Sequence, residues 1–311
     1  MQKNSQVDNH TLLGSELTCQ HTEDAENAQL MYKNMLEQNP NSTDALYWFG
    51  TFAQRLQKFD GAIAFFSKIL ELDKLHYAAI LQRGRTYTMQ KENQLAIIDF
   101  TKTLAIYPNS FEAFYSRGLA QSREANFEAA VNDFTSALKI NPKSADAYYN
   151  RALASKKLNK LTQAINDYTR ATELKHDHFQ ALNNRGLAHR ELRDFKKAIA
   201  DFDRSIITKP DFAEGYLNKA LTHLMIGEYE EAWRLYEYRW SSESFPSKKR
   251  HFDQPLWLGA PSLTNKTILL HSEQGLGDTL QFCRYINSFD TSRCNILLEV
   301  ERPLMTLMES L

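Results

Sequence analysis

Two columns of opposite charge run through this sequence at a constant spacing. Arginines stand at Arg83, Arg117, Arg151 and Arg185, and sixteen residues after each comes an aspartate: Asp99, Asp133, Asp167 and Asp201. One period earlier the same two places hold Phe49 and Phe65, and one period after the last pair they hold Lys219 and Leu235. Groups that appear and disappear together imply contact, so the columns read as ion pairs between helices. Such pairs, partly buried, fix register more than they add net stability. The alternative chemistry is a ladder of arginines that binds a ligand. One residue ahead of the arginines runs a polar column: Gln82, Ser116, Asn150, Asn184 and Asn218. An asparagine amide both donates and accepts, so amides at regular spacing can grip the backbone of an extended peptide. The plainer reading is short polar groups facing solvent. A third candidate lies near the C-terminus, where Gly275 and Gly277 precede Asp278. These are two glycines of a dinucleotide fingerprint, and Leu280 occupies the third glycine's place. Cys19, Cys283 and Cys294 are too few and too scattered for a disulfide framework or a zinc site, so no metal and no cofactor is expected.

The columns belong to a repeat of 34 residues that organises residues 43–246. One position reads Ala62, Ala96, Ala130, Ala164, Ala198 and Ala232, and four residues later an aromatic follows each: Phe66, Phe100, Phe134, Tyr168, Phe202 and Tyr236. Twelve residues before each alanine sits Gly50, Gly84, Gly118, Ala152, Gly186 or Ala220. Six copies follow from this alignment: 43–76, 77–110, 111–144, 145–178, 179–212 and 213–246. Each holds two apolar-periodic segments of helix length. In 111–144 the expected helices run from about Ala113 to Arg123 and from Phe127 to Ile140, joined by Glu124-Ala125-Asn126. Pro108, Pro142 and Pro210 stop helices between copies. The small residues let paired backbones approach, and the aromatic fills the groove towards the next helix. A single copy cannot bury its apolar face alone, whereas stacked copies bury it continuously. Residues 9–42 fit the alignment as a degenerate capping copy, with Ala28, Tyr32, Leu36 and Pro40 in register and Glu16 in the small column. Residues 1–8 are expected to form a disordered tail.

This pattern resembles the tetratricopeptide repeat. The resemblance implies an all-α fold, a right-handed superhelical solenoid of helix pairs whose concave groove is lined mainly by the first helix of each pair. It also implies binding of a protein or extended peptide in that groove, without chemistry of its own. In the family the polar column tends to face the groove, and the repeat region of protein O-linked N-acetylglucosamine transferases is similar in this respect. Arg55, Arg123, Lys156, Lys157 and Arg190 lie on the same general side and favour an acidic ligand, a preference that Glu191 and Glu214 dilute.

The last copy changes character. Trp233, Tyr236, Tyr238 and Trp240 load its second helix with aromatics beyond what a solvent-facing end needs, which suggests docking onto another domain. Residues 247–266 read as a linker. From Thr267 the period changes: Thr267–His271 is an expected strand, Thr279–Asn287 a helix, and Asn295–Val300 a second strand, with Pro303 opening another helix. Residues 267–311 therefore read as a truncated Rossmann-like β-α-β start, a short incomplete α/β piece. The strings Leu256-Trp257-Leu258-Gly259, Thr267-Ile268-Leu269-Leu270 and Glu273-Gln274-Gly275-Leu276-Gly277-Asp278-Thr279-Leu280-Gln281-Phe282 with Arg284-Tyr285 are similar to a glycosyltransferase-like domain of the heptosyltransferase family. That resemblance implies Asp278 as the base that deprotonates an acceptor hydroxyl, and a sugar nucleotide as donor. A carboxylate at a helix N-terminus stays ionised, which suits a base; the alternative is that Asp278 merely caps its helix. The donor half of such a fold would lie beyond Leu311. The first expectation is therefore a non-catalytic scaffold, and the transferase is the second.

A net charge of −1 supplies no global field for nucleic acid or an anionic membrane. The polar stretch Met1–His10 is no signal peptide, and no apolar run is long enough to span a bilayer. A cytoplasmic location is expected.

Overall fold

The computed structural model describes residue 30 and residues 34–35, 37–242, 245–247, 249–259, 262–273 and 275–309. The tail 1–8 and most of the capping copy, including Ala28, Tyr32 and Leu36, lie outside the described residues. Two compact units divide the chain, residues 1–211 and 212–311.

From Thr43 the described residues of unit 1 form five helix pairs: α1 (Thr43–Arg55) with α2 (Phe59–Leu72), α3 (Tyr77–Met89) with α4 (Asn93–Ile106), α5 (Phe111–Arg123) with α6 (Phe127–Ile140), α7 (Ala145–Lys157) with α8 (Leu161–Leu174), and α9 (Phe179–Glu191) with α10 (Phe195–Thr208). Each first helix starts at a side-chain cap. Ser42, Ser110 and Ser144 accept through Oγ, and His76 and His178 through Nδ1, from the backbone N–H three residues on. The cap at Ser110 is why α5 begins two residues before Ala113. Each pair is closed by one residue in the left-handed region: Gln57, Lys91, Ala125, Asn159 and Arg193, all with φ near +60°. Five different residue types accept this strained conformation at the same place, so position in the repeat fixes the turn and residue type does not.

The core lies between the paired helices. Ala62, Ala96, Ala130, Ala164 and Ala198, with Phe66, Phe100, Phe134, Tyr168 and Phe202, are all fully buried. The small column is a steric requirement: a Cβ added at Gly118 would lie 2.8 Å from Phe134 Cε1, and one at Gly50 only 2.6 Å from Phe66 Cε1. Glycine faces phenylalanine in four copies, and the two alanines, Ala152 and Ala220, face Tyr168 and Tyr236.

Unit 2 opens with α11 (Ala213–Ile226) and α12 (Tyr229–Tyr236), which tightens into a 3-10 turn over Glu237–Ser241. A parallel two-stranded sheet follows, β1 (Thr267–His271) beside β2 (Asn295–Glu299), with Thr267 opposite Asn295. The crossover between the strands is α13 (Leu276–Phe282) continued by a 3-10 turn, Cys283–Ser288. Helix α13 thus starts three residues before Thr279, at the N-cap Gly275, and leaves α geometry after Phe282. Pro303 stands in a 3-10 turn ahead of the short α14 (Met305–Met308). The molecule is mostly helical, a stack of helix pairs followed by a small α/β piece. Among the described residues no helix is long and apolar enough to cross a membrane, and no group of three acidic, histidine or cysteine side chains is placed to hold a metal ion.

Candidate functional site

Within unit 1 the first helices α1, α3, α5 and α7 touch in succession, and the second helices have no comparable contact. The stack therefore curves towards its first helices, whose exposed faces form the inner side. Two sets of side chains hold this geometry.

The arginine column makes three-helix junctions. Arg151 Nε and Nη2 donate to the two carboxylate oxygens of Asp167, both at 2.7 Å, and Nη1 donates to Thr135 Oγ1 at 3.1 Å. Arg83 does the same with Asp99 (2.7 and 2.9 Å) and Ser67 (3.0 Å). Arg117 joins Asp133 (2.9 and 2.7 Å) and Thr101 (3.0 Å), and Arg185 joins Asp201 (2.8 and 2.6 Å) and Thr169 (3.0 Å). Each fork binds the aspartate of its own copy and a hydroxyl on the second helix of the copy before. The aspartates are buried, and hydrogen bonding to them raises the guanidinium pKa of Arg83 and Arg151. With both fork edges committed inside the array, the arginines have little left for a ligand. In the first copy the corresponding pair, Phe49 and Phe65, is a ring stack with centroids 5.4 Å apart.

The polar column joins successive first helices. Asn150 Nδ2 donates to Tyr115 Oη at 2.9 Å and to Asp146 O at 2.8 Å; Asn184 Nδ2 donates to Tyr149 Oη at 3.0 Å; Gln82 Nε2 donates to Tyr47 Oη at 3.3 Å. Both amide hydrogens of Asn150 are thus used within the protein, and towards a peptide it has only its carbonyl oxygen to offer. Ser116 is half-buried in α5, and Asn218 is half-buried in α11 of unit 2. The tyrosine partners stand 35 residues before each amide, a relation visible in the sequence once a copy is compared with its predecessor; Leu81 takes that place ahead of Ser116. Burial raises the phenol pKa of Tyr115 and Tyr149. Further along the same face, Lys156 meets Glu191 at 2.9 Å, and Arg123 Nη1 donates to Thr88 O at 3.4 Å.

In unit 2 the structure places Asp278 at the third residue of α13, inside the first turn, while the capping place belongs to Gly275 in extended backbone. Asp278 therefore does not open its helix. A Cβ on Gly275 or Gly277 would meet nothing within 4 Å, so neither glycine is demanded by crowding. Asp278 lines a cavity of about 490 Å³ whose wall includes Leu224, Trp233, Tyr236, Phe282 and Ile286. Beside it, Arg239 is buried and heavily engaged. Its Nε and Nη2 donate to Glu273 at 2.8 and 2.7 Å, and its Nη1 donates to Glu237 at 2.7 Å. The guanidinium also lies 4.4 Å from the Trp240 ring centroid and 4.8 Å from that of Tyr236. Of the aromatic load at the end of the last copy, Tyr236 and Trp240 thus pack around Arg239, while Trp233 and Tyr238 stay exposed.

Models of the tetratricopeptide repeat match residues 43–74, 78–110, 126–159, 145–178 and 184–240. The chain is a tetratricopeptide-repeat protein. No curated protein matches it. Among solved structures, YrrB, described as a TPR protein with an unusual peptide-binding site, is 20% identical with a TM-score of 0.54, covering 63% of this chain and 97% of its own. MamA is 27% identical with a TM-score of 0.51, covering 55% and 94%. PilF of Pseudomonas aeruginosa is 17% identical with a TM-score of 0.54, covering 62% and 88%. These likenesses are of fold.

Proposed function

We propose that the protein is an interaction scaffold that holds an extended segment of a partner protein along the first helices of unit 1. The observation that carries this reading is the inner face itself. Tyrosine–amide hydrogen bonds join α1 to α3, α5 to α7 and α7 to α9, and Arg123 bonds α5 to α3, so the face is a preorganised surface rather than a mobile one. The peptide bonds of the bound segment meet Gln82, Ser116, Asn150 and Asn184, with Asn150 accepting rather than gripping with both functions. The test is a peptide array followed by photo-cross-linking of bound peptides. Cross-links on α3, α5, α7 and α9 are expected; binding confined to the second helices would refute the reading. With any peptide so captured, Asn150→Ala plus Asn184→Ala weakens binding while the helical circular-dichroism signal stays.

A second reading concerns the α/β piece, where Asp278 stands on the wall of a cavity large enough for a small molecule. In that reading Asp278 is the base of a sugar-transfer reaction and Gly275 and Gly277 flank the acceptor. Incubating the purified chain with sugar nucleotides, beside Asp278→Asn, tests it; no transfer or hydrolysis by either protein would end it.

A further inference from the structure

Resting on the peptide reading, the charge along the first helices specifies the peptide's chemistry. Residues seven apart on a helix share a face. Lys156 and Lys157 stand seven residues after Tyr149 and Asn150, Arg123 seven after Ser116, Arg190 seven after Asn183, and Arg55 seven after Trp48; Arg85 is four after Leu81. Tyr149 and Asn150 bond to neighbouring first helices, so the cations behind them extend along the same inner side. The contacts of Arg123 and Lys156, each to another first helix, agree with that placement.

A helix C-terminus favours cations in any case. That general preference does not account for this row. The second helices of unit 1 end with the same dipole, and their last turns carry one cation, Lys139, with Lys175 and Lys209 at the caps of α8 and α10. Four of the five first helices carry one or more in the last turn: Arg55, Arg123, Lys156 with Lys157, and His189 with Arg190. The excess follows the inner face, not the helix ends. The opposite edge of that face is acidic, with Asp44, Glu112 and Asp146 in the first turns. A polyphosphate lying across both edges would be repelled along one of them, whereas a peptide can turn its carboxylates to the basic edge alone.

Spacing selects the conformation. Helices in contact lie about 8–10 Å apart. A polyproline II chain returns a side chain to the same face every third residue, after about 9.3 Å. A β-strand does so every second residue, after about 6.7 Å, out of step with the helices. We propose that Arg55, Arg85, Arg123, Lys156, Lys157 and Arg190 form a docking strip for an acidic peptide in the polyproline II conformation, with a carboxylate at every third residue.

The test is fluorescence anisotropy with a labelled peptide of Glu-Pro-Pro repeats long enough to span three copies. The controls are a peptide of the same composition with its glutamates in one block, Gln-Pro-Pro and Lys-Pro-Pro repeats, and an oligothymidylate. The spaced acidic peptide is expected to bind about tenfold tighter than the blocked one and to weaken as salt rises. Arg123→Glu with Lys157→Glu, two surface changes, is expected to lower its affinity about tenfold with helical content unchanged. Equal affinity for spaced and blocked peptides, an unaffected double variant, preference for the lysine or glutamine repeat, or tighter binding of oligothymidylate would each overturn the acidic strip. The peptide reading stands or falls separately: peptides without acidic residues cross-linked to the first helices would retain it even then.

Discussion

Unit 1 and the helix pair that opens unit 2 come from the same repeat, yet they are stabilised in opposite ways. In unit 1 each structural task is assigned to a column and repeated. Side-chain caps, left-handed turns and small-against-aromatic contacts recur in all five pairs, and arginine junctions in four of them, the first pair having the Phe49–Phe65 stack instead. In unit 2 the columns lapse. Phe212 stands at the cap and offers no side-chain acceptor, Leu235 replaces the aspartate, and the left-handed turn takes a glycine, Gly227. Helix α12 stops after 8 residues where its counterparts run 14. One residue, Arg239, then takes on bonds to two carboxylates and a backbone carbonyl. Distributed stabilisation suits an array whose copies are alike; concentrated stabilisation suits a place where the repeat hands over to another kind of structure.

The sharpest break of this contrast is Arg239→Ala. It leaves Glu273 and Glu237 without their partner and is expected to cost about 3 kcal/mol. Hydrogen exchange should show the loss in β1, α13 and β2 with unit 1 unchanged; uniform loss across both units would contradict the division. Next, Asp133→Ala leaves Arg117 half-buried without its carboxylate and is expected to cost about 2–3 kcal/mol in urea unfolding. Arg117→Phe with Asp133→Phe reproduces the ring stack of Phe49 and Phe65 and is expected to recover most of that loss. If the double variant is no better than the single one, the junction is a matter of specific charge rather than of filled volume.

A smaller effect is expected from the caps. Burial lowers the pKa of His178, so the unfolded chain takes up its proton first. The stability it contributes is complete above the unfolded value of about 6.5 and is lost as pH falls through the lower folded value. Protonation also removes the Nδ1 acceptor that caps α9, worth about 1 kcal/mol. His178→Ser, the cap used at Ser110 and Ser144, should flatten the decline of thermal stability below that pH. His189, also held low by burial, retains part of the slope. The smallest change is a gain: Ala125→Gly relieves a left-handed alanine and should add about 0.5 kcal/mol, while Gly227→Ala should remove about 1 kcal/mol. Chemical denaturation of the two variants side by side decides whether the turn column behaves alike in both units.

Much of unit 1 was legible because a repeat supplies its own internal comparison. The helix pairs, the small and aromatic columns and the pairing of Arg83 with Asp99 follow from aligning copies. The hydroxyls of Ser67, Thr101, Thr135 and Thr169 and the phenols of Tyr47, Tyr115 and Tyr149 escaped that alignment. They serve the following copy rather than their own, so only a comparison offset by one period reveals them. The left-handed turns were illegible for a different reason: Gln57, Lys91, Ala125, Asn159 and Arg193 share a backbone conformation and no side-chain chemistry. In unit 2 the strands could be read from β-branched and leucine-rich runs, but nothing repeated there. The burial of Arg239 depends on a glutamate 34 residues away in another element, and no local pattern marks it.

The backward reach of each arginine has a consequence for how such a chain can vary. Arg151 addresses Thr135 of the preceding copy, and Thr101 holds the same place one copy earlier. Excising residues 111–144 would set Arg151 against Thr101 and restore the same junction from different parts. The array is therefore fungible at its arginine junctions: unequal recombination that removes these 34 residues re-forms the arginine–hydroxyl pair, while Asn150 exchanges Tyr115 for Leu81 and loses its phenol partner.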